Sequence, residues 1–161
     1  MPPEGDPKLA VELFRLAYER QAEGEYREAI ELYTRSIEAF PTAEAYTFRG
    51  WAYSHLGDLD RALIECKHAI EIDPDFGNPY NDVGAYLIEL GRSEEAVEWF
   101  EKAIAAPRYE SRCFPHFNLG RVYEGRREYK RAMASYARAI LENPEYTAAH
   151  RAFRRLQSMW N

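Results

Sequence analysis

The chain has 161 residues, 46% hydrophobic and 30% charged, with a formal net charge of −6; that composition suits one folded domain and excludes a disordered one. The acidic balance argues against general nucleic-acid binding, which rests on an excess of Lys and Arg. No stretch nears the roughly 18 consecutive apolar residues of a membrane span, and Met1-Pro2-Pro3-Glu4-Gly5-Asp6 lacks the basic-then-apolar run of a secretory leader, so a cytoplasmic protein without membrane insertion is expected.

Four short runs repeat along the chain: Glu28-Ala29-Ile30-Glu31-Leu32-Tyr33, Arg61-Ala62-Leu63-Ile64-Glu65-Cys66, Glu95-Ala96-Val97-Glu98-Trp99-Phe100 and Arg131-Ala132-Met133-Ala134-Ser135-Tyr136. Their alanines are spaced by 33, 34 and 36 residues, a period that means stacked supersecondary units. In chain order the pattern predicts helices over roughly 8–22, 26–39, 43–56, 59–72, 77–90, 93–105, 114–125 and 128–141, with a ninth over about 145–158. A short flexible segment is expected before Asp6.

The second repeat reads Tyr46, Arg49-Gly50, Tyr53, Ala62, Cys66, Pro74. The third reads Tyr80, Val83-Gly84, Leu87, Ala96, Phe100, with Pro107 one place early, and the fourth His116, Leu119-Gly120, Tyr123, Ala132, Tyr136, Pro144. The first is weaker: Leu13, Leu16-Ala17, Arg20, Ala29, Tyr33, Pro41. Over residues 10–145 this resembles the tetratricopeptide repeat family. The resemblance implies an all-α fold, a right-handed α-solenoid of four helical hairpins (about 10–42, 43–76, 77–112 and 113–146) with a capping helix at about 145–158, all in one domain spanning 1–161. Arg151, Arg154, Arg155 and Gln157 give the cap its polar face.

Gly50, Gly84 and Gly120 fall mid-helix, where glycine costs up to about 1 kcal/mol. Close approach of two backbones explains them, with Ala29, Ala62, Ala96 and Ala132 expected to supply the facing small surface. Pro41, Pro74 and Pro144 are expected to end the second helices. Cys66 and Cys113 read as small apolar fillers, too few for a disulfide or zinc framework. The stretch 105–113 carries two extra residues, either as a plain longer connection or as a protruding loop or change of pitch that a partner touches.

In this family the first helix of each repeat lines a concave groove. Counting from the glycine positions, and from Ala17 in the first repeat, the groove-facing side chains are expected to include Phe14, Tyr18 and Gln21; Thr47, Phe48 and Trp51; Asn81 and Asp82; Phe117, Asn118 and Arg121. Arg151 and Arg155 are added from the cap. The repeat pattern asks none of these positions to pack. Exposed aromatics on a groove mark a contact surface, and the asparagines suit a peptide backbone; the alternative is that neighbouring first helices bury the aromatics against one another. The family's clamp for chaperone C-terminal carboxylates needs basic residues. At the matching positions stand Phe14, Tyr18, Phe48, Asn78 and Asp82 or, one repeat later, Thr47, Trp51, Asp82, Phe114 and Asn118; neither register keeps the basic residues, so that subtype is not expected.

Charge is uneven: 23 acidic and 12 basic residues through Arg112, 4 and 9 from Cys113 onward. Most of this is solvated helix face, and it also suits steering of an acidic partner or head-to-tail self-association. No catalytic constellation, metal-ligand spacing or nucleotide-binding glycine motif occurs, so neither enzyme nor cofactor is expected; His116 and His150 align with a packing position. The expected function is protein–protein interaction: an adaptor or scaffold binding another protein or peptide in the aromatic groove. The alternative is a self-assembling homo-oligomer or a stable subunit of a larger complex.

Overall fold

The structure is a computed structural model and describes residues 4–160. Met1–Pro3, part of the segment expected to be flexible and of the stretch tested for a leader, lie outside the described residues, as does Asn161. The described residues form nine helices: α1 (Pro7–Ala22), α2 (Tyr26–Ala39), α3 (Ala43–His55), α4 (Leu59–Ile72), α5 (Asn78–Glu89), α6 (Ser93–Ala105), α7 (Cys113–Gly125), α8 (Tyr129–Glu142) and α9 (Thr147–Ser158). All lie within two residues of the boundaries expected from the repeat. They fall into two compact units, Met1–Pro74 and Asp75–Asn161.

The boundaries are set by local chemistry. Asp6, Thr42 and Asp58 cap α1, α3 and α4 by accepting the N–H of Leu9, Ala45 and Arg61, satisfying donors the helix leaves open. Glu94 and Glu95 place negative charge in the first turn of α6, where the helix dipole favours it. Second helices stop two residues before proline. Phe40, Asp73, Ala106 and Asn143, each preceding a proline, are driven to extended backbone. The hairpin turns share one geometry, with the second turn residue at positive φ: Gly24, Gly57, Gly91 and, in the fourth, Arg127 at 62°. The residue after each returns its N–H to a carbonyl of the preceding helix, as in Glu128 to Tyr123 at 2.9 Å.

In the first unit Ala17, Ala29 and Tyr33 form a buried cluster with Phe14, Leu32 and Phe48 against it. The α3/α4 hairpin carries a different contact. Arg49 Nε and Nη2 donate to the two carboxylate oxygens of Glu65 at 2.6 and 3.0 Å, and Nη1 donates to Thr34 at 3.0 Å. A bidentate pair thus stands where the first repeat places Leu16 and Leu32.

The second unit corrects the expected role of the alanines. A Cβ on Gly84 would lie 2.4 Å from the Phe100 ring, and one on Gly120 would lie 2.4 Å from Tyr136. The glycines therefore make room for the aromatic four residues beyond the repeat alanine. Only at Gly50, whose hairpin has Cys66 in place of that ring, are the nearest groups Glu65 Cβ and the Ala62 carbonyl. Cys66 and Cys113 are both buried, as fillers should be. His116 is also buried; its Nε2 has no hydrogen-bond partner, and burial, with Arg138 nearby, lowers its pKa. At the end, Ala149, Ala152 and Leu156 bury one face of α9, which packs on α8, while Arg151, Arg154 and Arg155 stay exposed.

The extra residues between α6 and α7 do not protrude. Tyr109 is buried with Ala103 and Ala106, and its side chain occupies the space beside Gly77. Gly77 N–H donates to the Arg108 carbonyl and Arg108 N–H to the Asp75 carbonyl, both at 3.0 Å. Arg112 donates to the carbonyls of Ile104, Tyr109 and Ala106. The connection is folded back and hydrogen-bonded to the segment that precedes α5.

Candidate partner-binding faces

In the first unit, α1 and α3 bring their counted residues together in two lanes. The inner lane is packed. Phe14 lies 5.5 Å from Tyr33 and 5.5 Å from Phe48, edge-on to the latter. Gln21 is buried, accepting the Tyr33 hydroxyl at 2.5 Å, and Thr47 is buried with its hydroxyl on the Ala43 carbonyl. The expectation that these positions are spared from packing is thus corrected for Gln21 and Thr47, and in part for Phe14 and Phe48. The reason is that each first helix must seal against its own hairpin and its neighbour, so a residue facing the seam is drawn in.

The outer lane stays open. Tyr18 is 50% exposed and Trp51 is 39% exposed. Tyr18 meets Phe48 edge-on at 5.7 Å. Trp51 stands edge-on to His55 at 4.6 Å, and His55 stacks on Tyr26 at 4.6 Å with an interplanar angle of 3°. His55 follows Trp51 by one helical turn and so shares its face; the stack with Tyr26 of α2 had no sequence signal. Together these rings make a supported aromatic surface. Apolar area of this kind is worth about 25 cal/mol per Å² when covered.

In the second unit, Asn81 and Asn118 are buried, and Asn118 Nδ2 donates to Asn81 Oδ1 at 3.1 Å. Much of their hydrogen-bonding capacity is therefore spent within the protein. Arg121 is exposed and donates to Asn118 Oδ1 at 3.2 Å. Phe117 is half-buried between Tyr136 (5.5 Å) and Tyr146 (5.2 Å). Phe114, not singled out by the repeat count, is exposed beside Tyr146. Arg151 is exposed, whereas Arg155 makes a two-pronged contact with Glu124 at 2.6 and 3.0 Å, the same carboxylate that accepts the Tyr136 hydroxyl.

Asp82 is the unusual titrating group. Burial pushes its carboxyl from 3.8 up to about 7, although a hydrogen bond to Asn81 pulls the other way, and Tyr109 is a neighbour. The folded state thus keeps a proton that the unfolded chain has released. This group's contribution to stability is full below about pH 4 and is lost as pH rises through about 7. Because Asp82 retains some solvent contact, Asp82→Asn is expected to raise stability at pH 8 by about 1–2 kcal/mol, and by far less at pH 4. Urea melts of both proteins at the two pH values check this; an equal gain at both would mean the proton plays no part.

Family models described as tetratricopeptide repeat match residues 5–75, 65–98 and 116–145. The chain belongs to the tetratricopeptide repeat family. It is 40% identical over 81 residues to small glutamine-rich tetratricopeptide repeat-containing protein 2 of Mycosarcoma maydis, an alignment covering 50% of this chain and 23% of that protein. The type IV pilus biogenesis factor PilW superposes with a TM-score of 0.85 at 24% identity, over 96% of this chain and 71% of that one, a likeness of fold alone. The second TPR of Spaghetti (RPAP3), bound to the HSP90 peptide SRMEEVD, superposes with a TM-score of 0.58 at 28% identity over 62% of this chain and 94% of that one. This chain spans less than a quarter of the Mycosarcoma relative's length. Among the described residues no helix is long and apolar enough to cross a membrane.

Proposed function

We propose that the chain is a non-enzymatic adaptor that holds a segment of another protein, and that the segment lies on the α1/α3 face with its apolar side chains against Tyr18 and Trp51. The carrying observation is that two large aromatic side chains remain open to solvent, Tyr18 braced by Phe48 and Trp51 by His55. Such anchors give much area for little lost rotamer freedom, which is why Trp and Tyr dominate binding hot spots. Membership of a family whose members include a TPR bound to a chaperone peptide supports the adaptor role. The chaperone-carboxylate version does not carry over, because Phe14, Asn78 and Asp82 stand where that clamp needs cations. Within the second unit, Asn81 and Asp82 of α5, Phe117, Asn118 and Arg121 of α7, and Arg151 and Arg155 of α9 supply, in this reading, a separate second contact.

Trp51→Ala is expected to weaken capture of the partner from native lysate by about 30-fold, the equivalent of roughly 2 kcal/mol, while the circular dichroism spectrum stays helical. Undiminished capture by the helical variant would rule out this face.

A further inference from the structure

The second unit also holds a polar cavity, which shares Arg121 with the contact proposed above. The end of α5, the start of α6 and the last turn of α7 enclose a cavity of about 260 Å³, with Ile88 and Val122 as apolar wall and Ser93, Glu94, Arg121 and Arg126 as its polar groups. Two guanidinium groups sharing one cavity repel each other unless an anion stands between them. Neither has its full complement. Arg121 donates to the neutral Asn118 side chain, and Arg126 Nη2 donates to Glu94 at 2.9 Å while its buried Nε has no partner. Ser93 opens α6 and brings the positive end of that helix dipole to the cavity, while the last turns of α5 and α7 bring negative ends that the two arginines offset.

Glu94 is 84% exposed. Its carboxylate reaches Arg126 from solvent, and an exposed pair of this kind contributes at most about 1 kcal/mol. We propose that this cavity binds a phosphoryl group, which displaces Glu94 from Arg126. The choice of ligand follows from charge. A single carboxylate would only exchange one monoanion for another, with nothing gained over Glu94. A phosphate near its dianionic form adds a second charge for Arg121 and oxygens enough for the Ser93 hydroxyl and both arginines. Once Glu94 leaves, Arg126 can present two N–H groups along one edge of its fork. The phosphoryl group is either free phosphate or phosphoserine or phosphothreonine carried by a partner.

Amide and arginine side-chain NMR on the full chain tests this, with titrations of inorganic phosphate, a phosphoserine peptide, its unphosphorylated form, and sodium chloride at matched ionic strength. Saturable shifts at the Ser93 and Glu94 amides and at Arg126 Nε–H are expected with the two phosphoryl probes alone. Tighter binding of the peptide than of the ion identifies a partner-borne group; equal binding identifies the free ion. Arg126→Gln should abolish saturation. Glu94→Gln removes the competing carboxylate and should tighten binding by up to about fivefold, a gain that damage to the fold cannot imitate. Shifts that follow chloride without saturating, or Glu94→Gln leaving affinity unchanged or weaker, would overturn the proposal.

Discussion

Replacing Glu65 by alanine is expected to destabilise the first unit by about 3–5 kcal/mol, because it leaves the Arg49 charge buried without its counter-ion. Glu65 is 3% exposed and Arg49 is 13% exposed, and both carboxylate oxygens of Glu65 are engaged. What remains for Arg49 is Thr34 and the face of Tyr46, 5.2 Å from the ring centre. A loss of that size takes a large share of the roughly 5–15 kcal/mol that holds a typical domain together. The pair itself need not be a net stabiliser, since desolvating two charges offsets their attraction. Arg49→Leu with Glu65→Leu, which restores the residues of the first repeat, should therefore recover most of the loss. Urea unfolding of the single and double variants decides it; a single-variant loss below about 1 kcal/mol would show the pair to be solvent-screened.

The second large effect sets two backbone terms against each other. Gly84→Ala gains up to about 1 kcal/mol of helix propensity, but the new methyl would lie 2.4 Å from Phe100 Cε1 and 2.6 Å from Cζ. The ring is fully buried and has nowhere to retreat. Overpacking costs about 1–3 kcal/mol or more, so a net loss is expected, with relief in Gly84→Ala/Phe100→Leu. Gly50→Ala should be milder, because its methyl meets Glu65 Cβ at 3.0 Å and the Ala62 carbonyl at 3.2 Å rather than a ring. Thermal melts followed by circular dichroism rank the three; Gly84→Ala melting above the parent would mean that the ring yields.

Those two contacts also mark where sequence reasoning stops. Helix positions were legible because caps, prolines and the 3.6-residue period are local signals, and all nine helices follow them. The register also identified which residues share a face. It did not say which of them sink into the seam: Trp51 and Thr47 were both counted onto the groove side, yet Trp51 is open and Thr47 is sealed. That difference depends on what the neighbouring helix presents, which angular counting does not contain. For the same reason the close approach of Gly84 to the Phe100 ring needed the structure. The Arg49–Glu65 bridge had no signal in the repeat pattern, because the two residues lie on different helices 16 residues apart. The cavity beside Arg126 had no motif, since its walls come from the ends of three helices.

Repeat arrays are ordinarily quasi-linear: each unit touches its neighbours alone, and a hairpin can fray without disturbing what lies beyond. The connection after α6 adds a tie inside a single unit. By bonding Arg108 to Asp75 and Gly77, and wedging Tyr109 beside Gly77, it joins the exit of the third hairpin to its own entrance, and Arg112 locks the crossing just before α7 begins. The two added residues thus act as a clasp. Unravelling the third hairpin from its exit therefore also breaks contacts at its entrance, so the longest spacing in the chain reinforces the repeat that comes before it.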